Sequence, residues 1–315
     1  MNLGAETPVP DDVPRPSVSV VVVAYDMGRE LPRTLASLVP ANQRGVCPDD
    51  YEVIVVDNGS PTPVAAEALD GFGRSGRLLR IDPAPASPAR AANAGIEAAR
   101  ADLIGLVVDG ARIASAGLVA AASRAAHLAL EPIITAPAYH LCGAGAGHDP
   151  VDAFTAADED RLLARLGWPD DDGALFAHST IAASSARGWF APMGESSSLF
   201  MRRRLWDQLG GLDERFALPG GGLVNHDVYR RACEIAGTDL FVLVGEGTFH
   251  QRHGGAATSG RIGWEEMQRD HVAIRGERYR PPARAARLVG RVRSEALGYV
   301  QYSLERRDAL LSAAS

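Results

Sequence analysis

Three short segments that are apolar along almost their whole length constrain the fold of this chain more than any other feature. They are residues 17–24 (SVSVVVVA), 51–57 (YEVIVVD) and 103–109 (LIGLVVD). A strand without a polar face has to be covered on both sides, as happens between two layers of helices. Because helical patterns separate the segments, the sequence predicts an α/β fold with a doubly wound, mostly parallel sheet flanked by helices.

Each of these segments leads to an aspartate. Asp26 follows the first segment by two residues, while Asp57 and Asp109 end the second and the third. In doubly wound sheets, ligands bind beyond the carboxyl ends of the strands. We therefore expect the three carboxylates to converge on one binding crevice.

The charge balance and the cysteines exclude several classes of protein. Asp and Glu number 39 against 32 for Lys and Arg, which gives a net charge of −7, whereas a nucleic-acid-binding protein usually presents a basic surface. Cys47, Cys142 and Cys233 are widely spaced and form no CxxC pair. This pattern argues against a disulfide framework or a thiolate zinc site and suits a reducing compartment. We expect a protein that binds no nucleic acid.

Both ends of the chain carry recognisable patterns. Residues 1–16 are rich in proline and acidic residues, which predicts a flexible leader and not a signal peptide. No apolar run approaches the roughly 20 residues that span a bilayer, so the expected location is the cytoplasm. Residues 283–311 predict an amphipathic helix with an apolar stripe at 288, 289, 292, 296, 299, 300 and 304. Such a stripe has to be covered, either by the rest of the chain or by a second copy in a homodimer.

Between these ends the sequence predicts one domain in two halves, residues 17–136 and 137–280, followed by a helical extension over residues 281–315. A Gly-rich stretch with weak periodicity marks the change from the first half to the second. Helices are expected near 30–38, 64–69, 89–100, 116–130, 203–209 and 227–236. Further strands are expected at 77–81, 132–136, 196–201 and 241–244.

Five blocks in a fixed order carry a resemblance to a known family. They are SVVVVAYD (19–26), VIVVDNGS (53–60), ARAANAGI (89–96), LVVDGARI (106–113) and GGLDERFALPGGGLVNHD (210–227), with FHQRHGG (249–255) behind the last. In this order the chain resembles the family-2 glycosyltransferases of GT-A fold over residues 17–255. The resemblance implies inverting transfer of a hexosyl group from a nucleotide sugar, with UDP as the first choice, to an acceptor hydroxyl of a sugar, a glycan or a small natural product.

The first half would then bind the nucleotide sugar. A uracil-like base offers an N–H that the Asp57 carboxylate can accept, and backbone groups of Ala24 and Tyr25 can complete its recognition. Arg90 and Asn93 lie one helical turn apart and can face the same pocket. By resemblance these residues, with Asp26 and Asp109, are the nucleotide contacts. Two alternatives stay open: Asp57 as the first residue of an Asx turn, and Arg90 in a surface salt bridge.

The fourth block departs from the family pattern. Family members usually carry two aspartates as DxD to hold a divalent cation, whereas this chain reads Asp109-Gly110-Ala111. Mg²⁺ or Mn²⁺ can be held by one carboxylate together with diphosphate oxygens, and Mn²⁺ also accepts imidazole from His250 or His253. We expect Asp109 and His250 to be metal ligands and His253 to approach the diphosphate. The alternative for Asp109 is a ribose contact without a metal.

The fifth block implies an acceptor side. Asp213 and Glu214 resemble the family's acceptor-side segment, and Trp189 and Glu195 are candidates for the same surface. The family takes its catalytic base from an aspartate at a helix start, where this chain reads Asn225-His226-Asp227. Matching carboxylate to carboxylate makes Asp227 the base, whereas matching on Arg231 puts Asn225 in that place. We predict Asp227, because an amide does not accept the acceptor's proton, although an N-terminal cap is its alternative role.

Two other functions fit parts of the sequence. A nucleotidyltransferase shares the doubly wound sheet, but it would need a Gly-rich loop with Arg and Lys after the first strand, where this chain has Tyr25-Asp26-Met27. A non-catalytic nucleotide-sugar-binding protein would account for the degenerate DxD, although Asp227 and the histidine loop argue against it.

Overall fold

The chain forms twelve strands and nine α-helices within the residues that the computed structural model describes, which are 15–142, 154–170, 172–194, 197–254 and 262–314. The strands are β1 (Val18–Ala24), β2 (Tyr51–Asp57), β3 (Gly76–Arg80), β4 (Leu103–Val107), β5 (Arg112–Ala114), β6 (Pro132–Thr135), β7 (Ala138–Leu141), β8 (Ser179–Ile181), β9 (Ser198–Arg202), β10 (Asp239–Val244), β11 (Thr248–His250) and β12 (Ala286–Gly290). The helices are α1 (Leu31–Leu38), α2 (Ala89–Ala98), α3 (Leu118–Ala125), α4 (Ala156–Leu166), α5 (Gly173–Ala177), α6 (Arg203–Leu209), α7 (Val224–Glu234), α8 (Trp264–Arg275) and α9 (Leu297–Ala314).

Eight of the strands form the central sheet, in the order β12-β10-β6-β9-β4-β1-β2-β3. Strand β9 is antiparallel to both of its neighbours, and every other neighbouring pair in this sheet is parallel. The predicted doubly wound, mostly parallel sheet is therefore confirmed. The carboxyl ends of β1, β2 and β4 lie side by side, which is where the sequence placed the binding crevice.

Both faces of the sheet are buried, and β1 shows how. Val21 and Val23 pack into one core cluster, which also holds side chains of α2, α6 and α7. Val20 and Val22 pack into the other, with side chains of α1 and α3. β-Branched residues on both faces of one strand are what a sheet between two helix layers requires. Helix α2 approaches so closely that a Cβ on Gly95 would stand 2.3 Å from the Val21 side chain.

A second, smaller sheet extends the domain beyond the central one. Its strand order is β5-β11-β7-β8, and it packs on a third core cluster that includes Tyr139, Phe249 and Tyr299. Tyr299 belongs to α9, so the C-terminal helix is part of this core. The small sheet brings β11 beside β5, and this pairing sets up the site described below.

Two predicted elements of the first half need correction. The helix expected at residues 64–69 is instead a 3₁₀-helix over Ala66–Ser75, where Gly71 and Gly73 interrupt the pattern and Gly73 takes a positive φ of 54°. The helix expected at 116–130 is shorter and ends at Ala125. The other predicted helices and strands form within a few residues of the expected bounds.

The helix predicted over 283–311 is wrong in its first half. Residues Ala286–Gly290 form β12 on the edge of the central sheet, parallel to β10, and α9 begins only at Leu297. A Cβ on Gly290 would lie 2.3 Å from the Val244 carbonyl oxygen, so a glycine permits this close pairing. Ala296 and Tyr299 are fully buried inside the chain. The domain itself thus covers these two positions of the predicted stripe, whereas Leu288 is 41% exposed, and the homodimer stays a prediction.

Among the described residues, no helix combines the length and the apolar character that crossing a membrane would require.

Candidate active site

A cavity of about 1000 Å³ opens at the carboxyl ends of β1, β2 and β4. Tyr25 and Asp26 enter it from the loop after β1, and Asp109 from the loop after β4. Its opposite wall comes from the turn before α7 and the first turn of that helix. The polar residues that line the cavity are Asp26, Asn58, Asp82, Asp109, Arg112, Asn225, His226, His250 and His253.

The ends of β1 and β2 are tied together by their backbones. The Ala24 carbonyl accepts the N–H of Asn58 at 2.8 Å, and the N–H of Asp26 donates to the Ser60 hydroxyl at 2.9 Å. Asp26 has a positive φ of 51°, which directs the chain out of the strand. Tyr25 is 54% exposed at the cavity wall. Of the predicted contacts here, Tyr25 and Asp26 face the cavity, whereas the Ala24 carbonyl is used within the fold.

Asp57 does not line the cavity. Its buried carboxylate accepts the N–H groups of Ser60 at 2.8 Å and Val64 at 3.2 Å, and it pairs with Arg80 at 2.5 Å. These contacts hold the loop after β2. Asp57 therefore stabilises the turn, which was the alternative role that the sequence left open for it. The geometry does not favour Asp57 as the residue that contacts the nucleobase.

Asn58, the next residue, takes the place expected for Asp57. Its side chain is 4% exposed, and its Nδ2 donates to the carbonyls of Pro85 at 3.1 Å and Ser87 at 3.5 Å. Its Oδ1 is buried and has no hydrogen-bond partner among the described residues. Because the two carbonyls fix the amide orientation, the oxygen is an unmet acceptor at the cavity wall. The sequence favours the charged neighbour Asp57 for this contact and carries no signal that singles out Asn58.

Asp109, His250 and His253 form a compact cluster at the base of the cavity. The Nε2 atom of His250 lies 2.9 Å from Asp109 Oδ2 and 2.9 Å from His253 Nε2, and His253 Nε2 lies 3.4 Å from the same carboxylate oxygen. One ligand atom from each residue falls within 4.8 Å of the others. The structure thus brings together the two predicted metal ligands, Asp109 and His250, and also His253. His250 lies 141 residues after Asp109 in the sequence, so only the fold makes them neighbours.

The surroundings of this cluster shift the three acid–base equilibria in different directions. Burial opposes the charge of Asp109, but the contacts with His250 and His253 outweigh it and hold the pKa of the carboxyl well below its usual value. Burial, together with the charge of Arg112, lowers the pKa of His250. For His253, burial is outweighed by Asp109, so its pKa is raised. The ionised carboxylate of Asp109 and the neutral imidazole of His250 are the donor states that a metal ion needs, whereas the raised pKa of His253 favours its protonated form.

The donor set fits a divalent transition metal. One carboxylate oxygen and two imidazole nitrogens suit Mn²⁺ better than Mg²⁺, which prefers oxygen ligands alone. Two imidazole Nε2 atoms and a carboxylate oxygen that lie this close together need either shared protons or a cation between them. Asp109, His250 and His253 are the described residues that would hold it.

The loop that carries the histidines is held from behind by α4 and by the residues just before α1. Glu159 accepts the backbone N–H of Arg252 at 2.7 Å, and Arg29 donates to the Arg252 carbonyl at 3.0 Å. Gln251 donates to the Glu30 carbonyl at 3.1 Å. Arg252 is therefore fixed by side chains from both halves of the domain, and Gln251 is fixed by the contact of its own side chain with the Glu30 backbone.

Two residues predicted to contact the nucleotide lie elsewhere. Arg90 does not line the cavity. The Asn93 side chain exchanges hydrogen bonds with the Leu212 backbone, donating to its carbonyl at 2.9 Å and accepting its N–H at 2.8 Å. Asn93 lines a second, shallower cleft of about 400 Å³, together with Asp213 and Glu214. The Asn93 side chain thus connects α2 to the segment after α6. Because its hydrogen bonds are used there, the geometry does not favour Asn93 as a nucleotide contact.

Asp227, the predicted base, is 2% exposed and points away from the cavity wall. Arg275 pairs with its Oδ1 at 2.6 Å and Arg231 with its Oδ2 at 2.8 Å. Burial opposes its charge, but the two guanidinium groups outweigh this and lower its pKa. A carboxylate held ionised between two arginines is a weak proton acceptor, so the geometry does not favour the predicted role.

Asn225 and His226 line the cavity in the positions where Asp227 was expected to act. The His226 ring meets Tyr279 edge-on at 5.0 Å between ring centroids, and Trp264 at 6.1 Å. Trp264 is 49% exposed. Helix α7 begins at Val224, three residues earlier than predicted, so Asp227 falls on its inner face.

The remaining acceptor candidates divide between the core and the surface. Trp189 is 2% exposed, and its indole N–H donates to the Tyr139 hydroxyl at 3.2 Å, so it packs in the third core cluster and does not form a platform. Asp213 pairs with Arg215 at 2.7 Å and with Arg275 at 2.8 Å. The prediction for Glu195 lies outside the described residues.

Comparisons with known proteins bear on this site. Residues 19–109 match the profile of a family described as Glycosyl transferase family 2. Among solved structures, S. aureus TarS 1–349 is similar with a TM-score of 0.52 and 12% identity, over 93% of this chain and 72% of that one. TarS 1–349 in complex with UDP-GlcNAc is similar with a TM-score of 0.52 and 13% identity, over 82% of this chain and 66% of that one. At such identities the likeness is one of fold. No curated protein matches the chain.

Proposed function

We propose a donor, a metal and a proton acceptor for this chain on the premise that it is a family-2 glycosyltransferase of the GT-A fold, which acts on nucleotide sugars. The observation that carries the proposal is the composition of one cavity: an unmet amide oxygen at Asn58 and a metal-type cluster at Asp109, His250 and His253. The family match does not favour a nucleotidyltransferase or a non-catalytic binder.

The donor is a UDP-sugar. The Asn58 oxygen accepts a hydrogen bond, so it suits a base whose edge offers an N–H, as uracil does between its two carbonyls. Cytosine presents an acceptor at the same ring position and would leave the oxygen unmet. A similar fold in complex with UDP-GlcNAc supports the same nucleotide.

A divalent cation, Mn²⁺ first, is held by Asp109, His250 and His253. When bound, it neutralises charge that develops on the departing diphosphate. Asp109 stays ionised because its two histidine neighbours lower its pKa, and His250 stays neutral because burial lowers its own. Glu159 and Arg29 hold the backbone between the two imidazoles, so the ligands keep their relative positions.

The transfer is inverting, and His226 accepts the proton. The acceptor oxygen attacks the anomeric carbon from the face opposite the diphosphate, the C–O bond to the diphosphate breaks, and the acceptor proton passes to the imidazole. Support comes from the position of His226 in the cavity wall and from the engagement of Asp227 with Arg231 and Arg275. In this proposal Asp227 and its two arginines position the start of α7.

The acceptor is a hydroxyl of a sugar. Trp264 presents a half-exposed indole beside His226, and the apolar face of a pyranose ring packs well on such a surface. Residues 17–136 supply Asn58 and Asp109 to the donor side of the cavity, and residues 137–280 supply His226 to the acceptor side and His250 and His253 to the metal cluster.

The test incubates the full chain with a panel of UDP-, GDP- and dTDP-sugars and Mn²⁺, and measures the nucleoside diphosphate that slow donor hydrolysis releases. We expect release from a UDP-sugar that stops with a chelator and returns with added Mn²⁺. Release from a GDP- or dTDP-sugar instead would contradict the UDP-sugar donor, but not the acceptance of a base N–H by Asn58, because guanine and thymine also carry one. Release that is unaffected by the chelator would contradict the metal.

A further inference from the structure

Arg112 has no role in the proposed function, and no sequence pattern singles it out. It is the first residue of β5 and stands opposite His250 in the antiparallel pairing of β5 with β11. It lines the same cavity as Asp109, His250 and His253. Its Nε and Nη1 atoms are buried and have no hydrogen-bond partner among the described residues.

A buried guanidinium group with unmet donors is costly. Arginine stays protonated at any ordinary pH, so it cannot relieve the burial by losing its charge. Buried N–H groups are nearly always paired, and exceptions at a cavity wall suggest a missing ligand. Because the donors belong to a cation, the ligand that would satisfy them is an anion.

The charges next to Arg112 also favour an anionic ligand. A divalent cation held by Asp109, His250 and His253 would add to the positive charge of Arg112, and Asp109 alone would not balance the two. A diphosphate would supply negative charge beside both. The influence of Arg112 already reaches the cluster, since its charge contributes to the lowered pKa of both Asp109 and His250.

We propose that Arg112 binds the diphosphate of the donor beside the metal cluster and holds the leaving nucleoside diphosphate. This inference rests on the proposed function. The planar guanidinium fork suits phosphate oxygens, and two of its nitrogens already face an interior without partners. Its pairing with His250 through β5 and β11 sets its distance from the cation site by the backbone of two strands.

The experiment measures, by calorimetry with Mn²⁺ present, the affinity of the wild type and of Arg112→Met for UDP and for UMP. We expect the affinity for UDP to fall about 10- to 100-fold, the loss typical of hydrogen bonds to a charged group, while the affinity for UMP changes far less. Without nucleotide, Arg112→Met should bind Mn²⁺ more tightly than the wild type, because a like charge beside the site has been removed.

The control is Arg161→Met, which changes an arginine on α4 whose side chain is 71% exposed and paired with Asp158. It should leave all three affinities unchanged. If Arg112→Met does not fold, Arg112→Lys keeps the charge but loses the fork, and we expect it to weaken UDP binding more than UMP binding.

Three results would overturn the inference. In the first, a folded Arg112 variant keeps the UDP affinity of the wild type. In the second, the variant loses UDP and UMP affinity equally and binds Mn²⁺ more weakly, which would make Arg112 a scaffold of the cluster. Both leave the proposed function intact. In the third, the wild type with Mn²⁺ binds none of UDP, GDP, ADP, CDP and dTDP, and the proposed function fails together with the inference.

Discussion

Glu159 and Arg29 are ion-paired at 3.0 Å and together hold a single residue, Arg252, by its backbone N–H and its carbonyl. Arg252 lies between His250 and His253, so this pair acts on the loop that carries both imidazoles. Glu159 belongs to α4, in the part of the chain where the sequence showed little periodicity. The pair therefore links α4, which no family block includes, to the candidate metal site.

The first prediction concerns this pair. Glu159→Ala should weaken Mn²⁺ binding about 10- to 100-fold, which is the usual effect of removing a group that orients metal ligands. Glu159→Gln should recover part of the affinity, because its amide oxygen can still accept the Arg252 N–H. The measurement is the free Mn²⁺ signal in electron paramagnetic resonance, with thermal unfolding to verify the fold.

Arg161→Gln, on the exposed face of the same helix, is the matched control and should bind Mn²⁺ like the wild type. A folded Glu159→Ala variant with undiminished Mn²⁺ affinity would show that the loop holds its shape without the pair.

The second prediction separates Asp57 from Asn58. Asn58→Ala should weaken UDP binding by about 1–3 kcal/mol, because the base N–H loses its buried acceptor. Asp57→Ala should instead lower the free energy of unfolding by about 2 kcal/mol, since the carboxylate holds Ser60, Val64 and Arg80. Calorimetry with UDP and urea unfolding distinguish the two effects.

The sequence itself led to the opposite assignment, in which Asp57→Ala loses nucleotide affinity. That outcome, in a variant of unchanged stability, would restore Asp57 as the base contact.

These two residues illustrate why the site was predictable only in part. The apolar strands placed the cavity correctly, because burial on both faces is a local property of β1, β2 and β4. The partners of Asp109 were also found, since His250 and His253 lie three residues apart just before a pair of glycines, although His250 is the last residue of β11 and not part of a loop. Which of two neighbouring side chains faces the cavity, however, depends on how the backbone leaves a strand or enters a helix. Asp57 and Asp227 were preferred for their charge, whereas Asn58 and His226 line the wall.

The C-terminal region shows a different limit. A 3.6-residue period over 283–311 combined residues of an edge strand and a helix into one stripe. Strand β12 forms because the edge of β10 is available, and this depends on contacts that a local pattern does not contain. Arg112 was missed for a similar reason, since its approach to His250 exists only once β5 pairs with β11.

The third prediction is a pH effect at His140, whose ring centroid lies 5.3 Å from that of His250. Burial, assisted by the charges of His250, Arg112 and Arg252, lowers its pKa from 6.5 to about 3. Below pH 6.5 the unfolded chain therefore takes up a proton that the folded chain does not. The stability that this histidine provides is lost as the pH falls toward 3, by about 2 kcal/mol between pH 7 and pH 5.

Urea unfolding of the chelator-treated protein at both pH values measures this effect. His140→Gln should lose less stability than the wild type over the same interval, whereas His127→Gln, at an exposed position, should behave like the wild type. An identical loss in the wild type and in His140→Gln would assign the acid sensitivity to other groups.

The last prediction decides between His226 and Asp227 as the proton acceptor. His226→Gln keeps a polar side chain of similar size but cannot take up the acceptor proton, and general base catalysis contributes about 10²–10⁴ in rate. Transfer should therefore fall by that factor while UDP and Mn²⁺ affinities stay near those of the wild type. Asp227→Asn should lower the free energy of unfolding, because Arg231 and Arg275 lose a buried charged partner. It should, however, reduce the transfer rate less than His226→Gln does. The measurement is release of UDP from the preferred UDP-sugar for both variants, with imidazole added to His226→Ala to restore the missing base. If Asp227→Asn abolishes transfer at unchanged stability and His226→Gln does not, the carboxylate is the base after all.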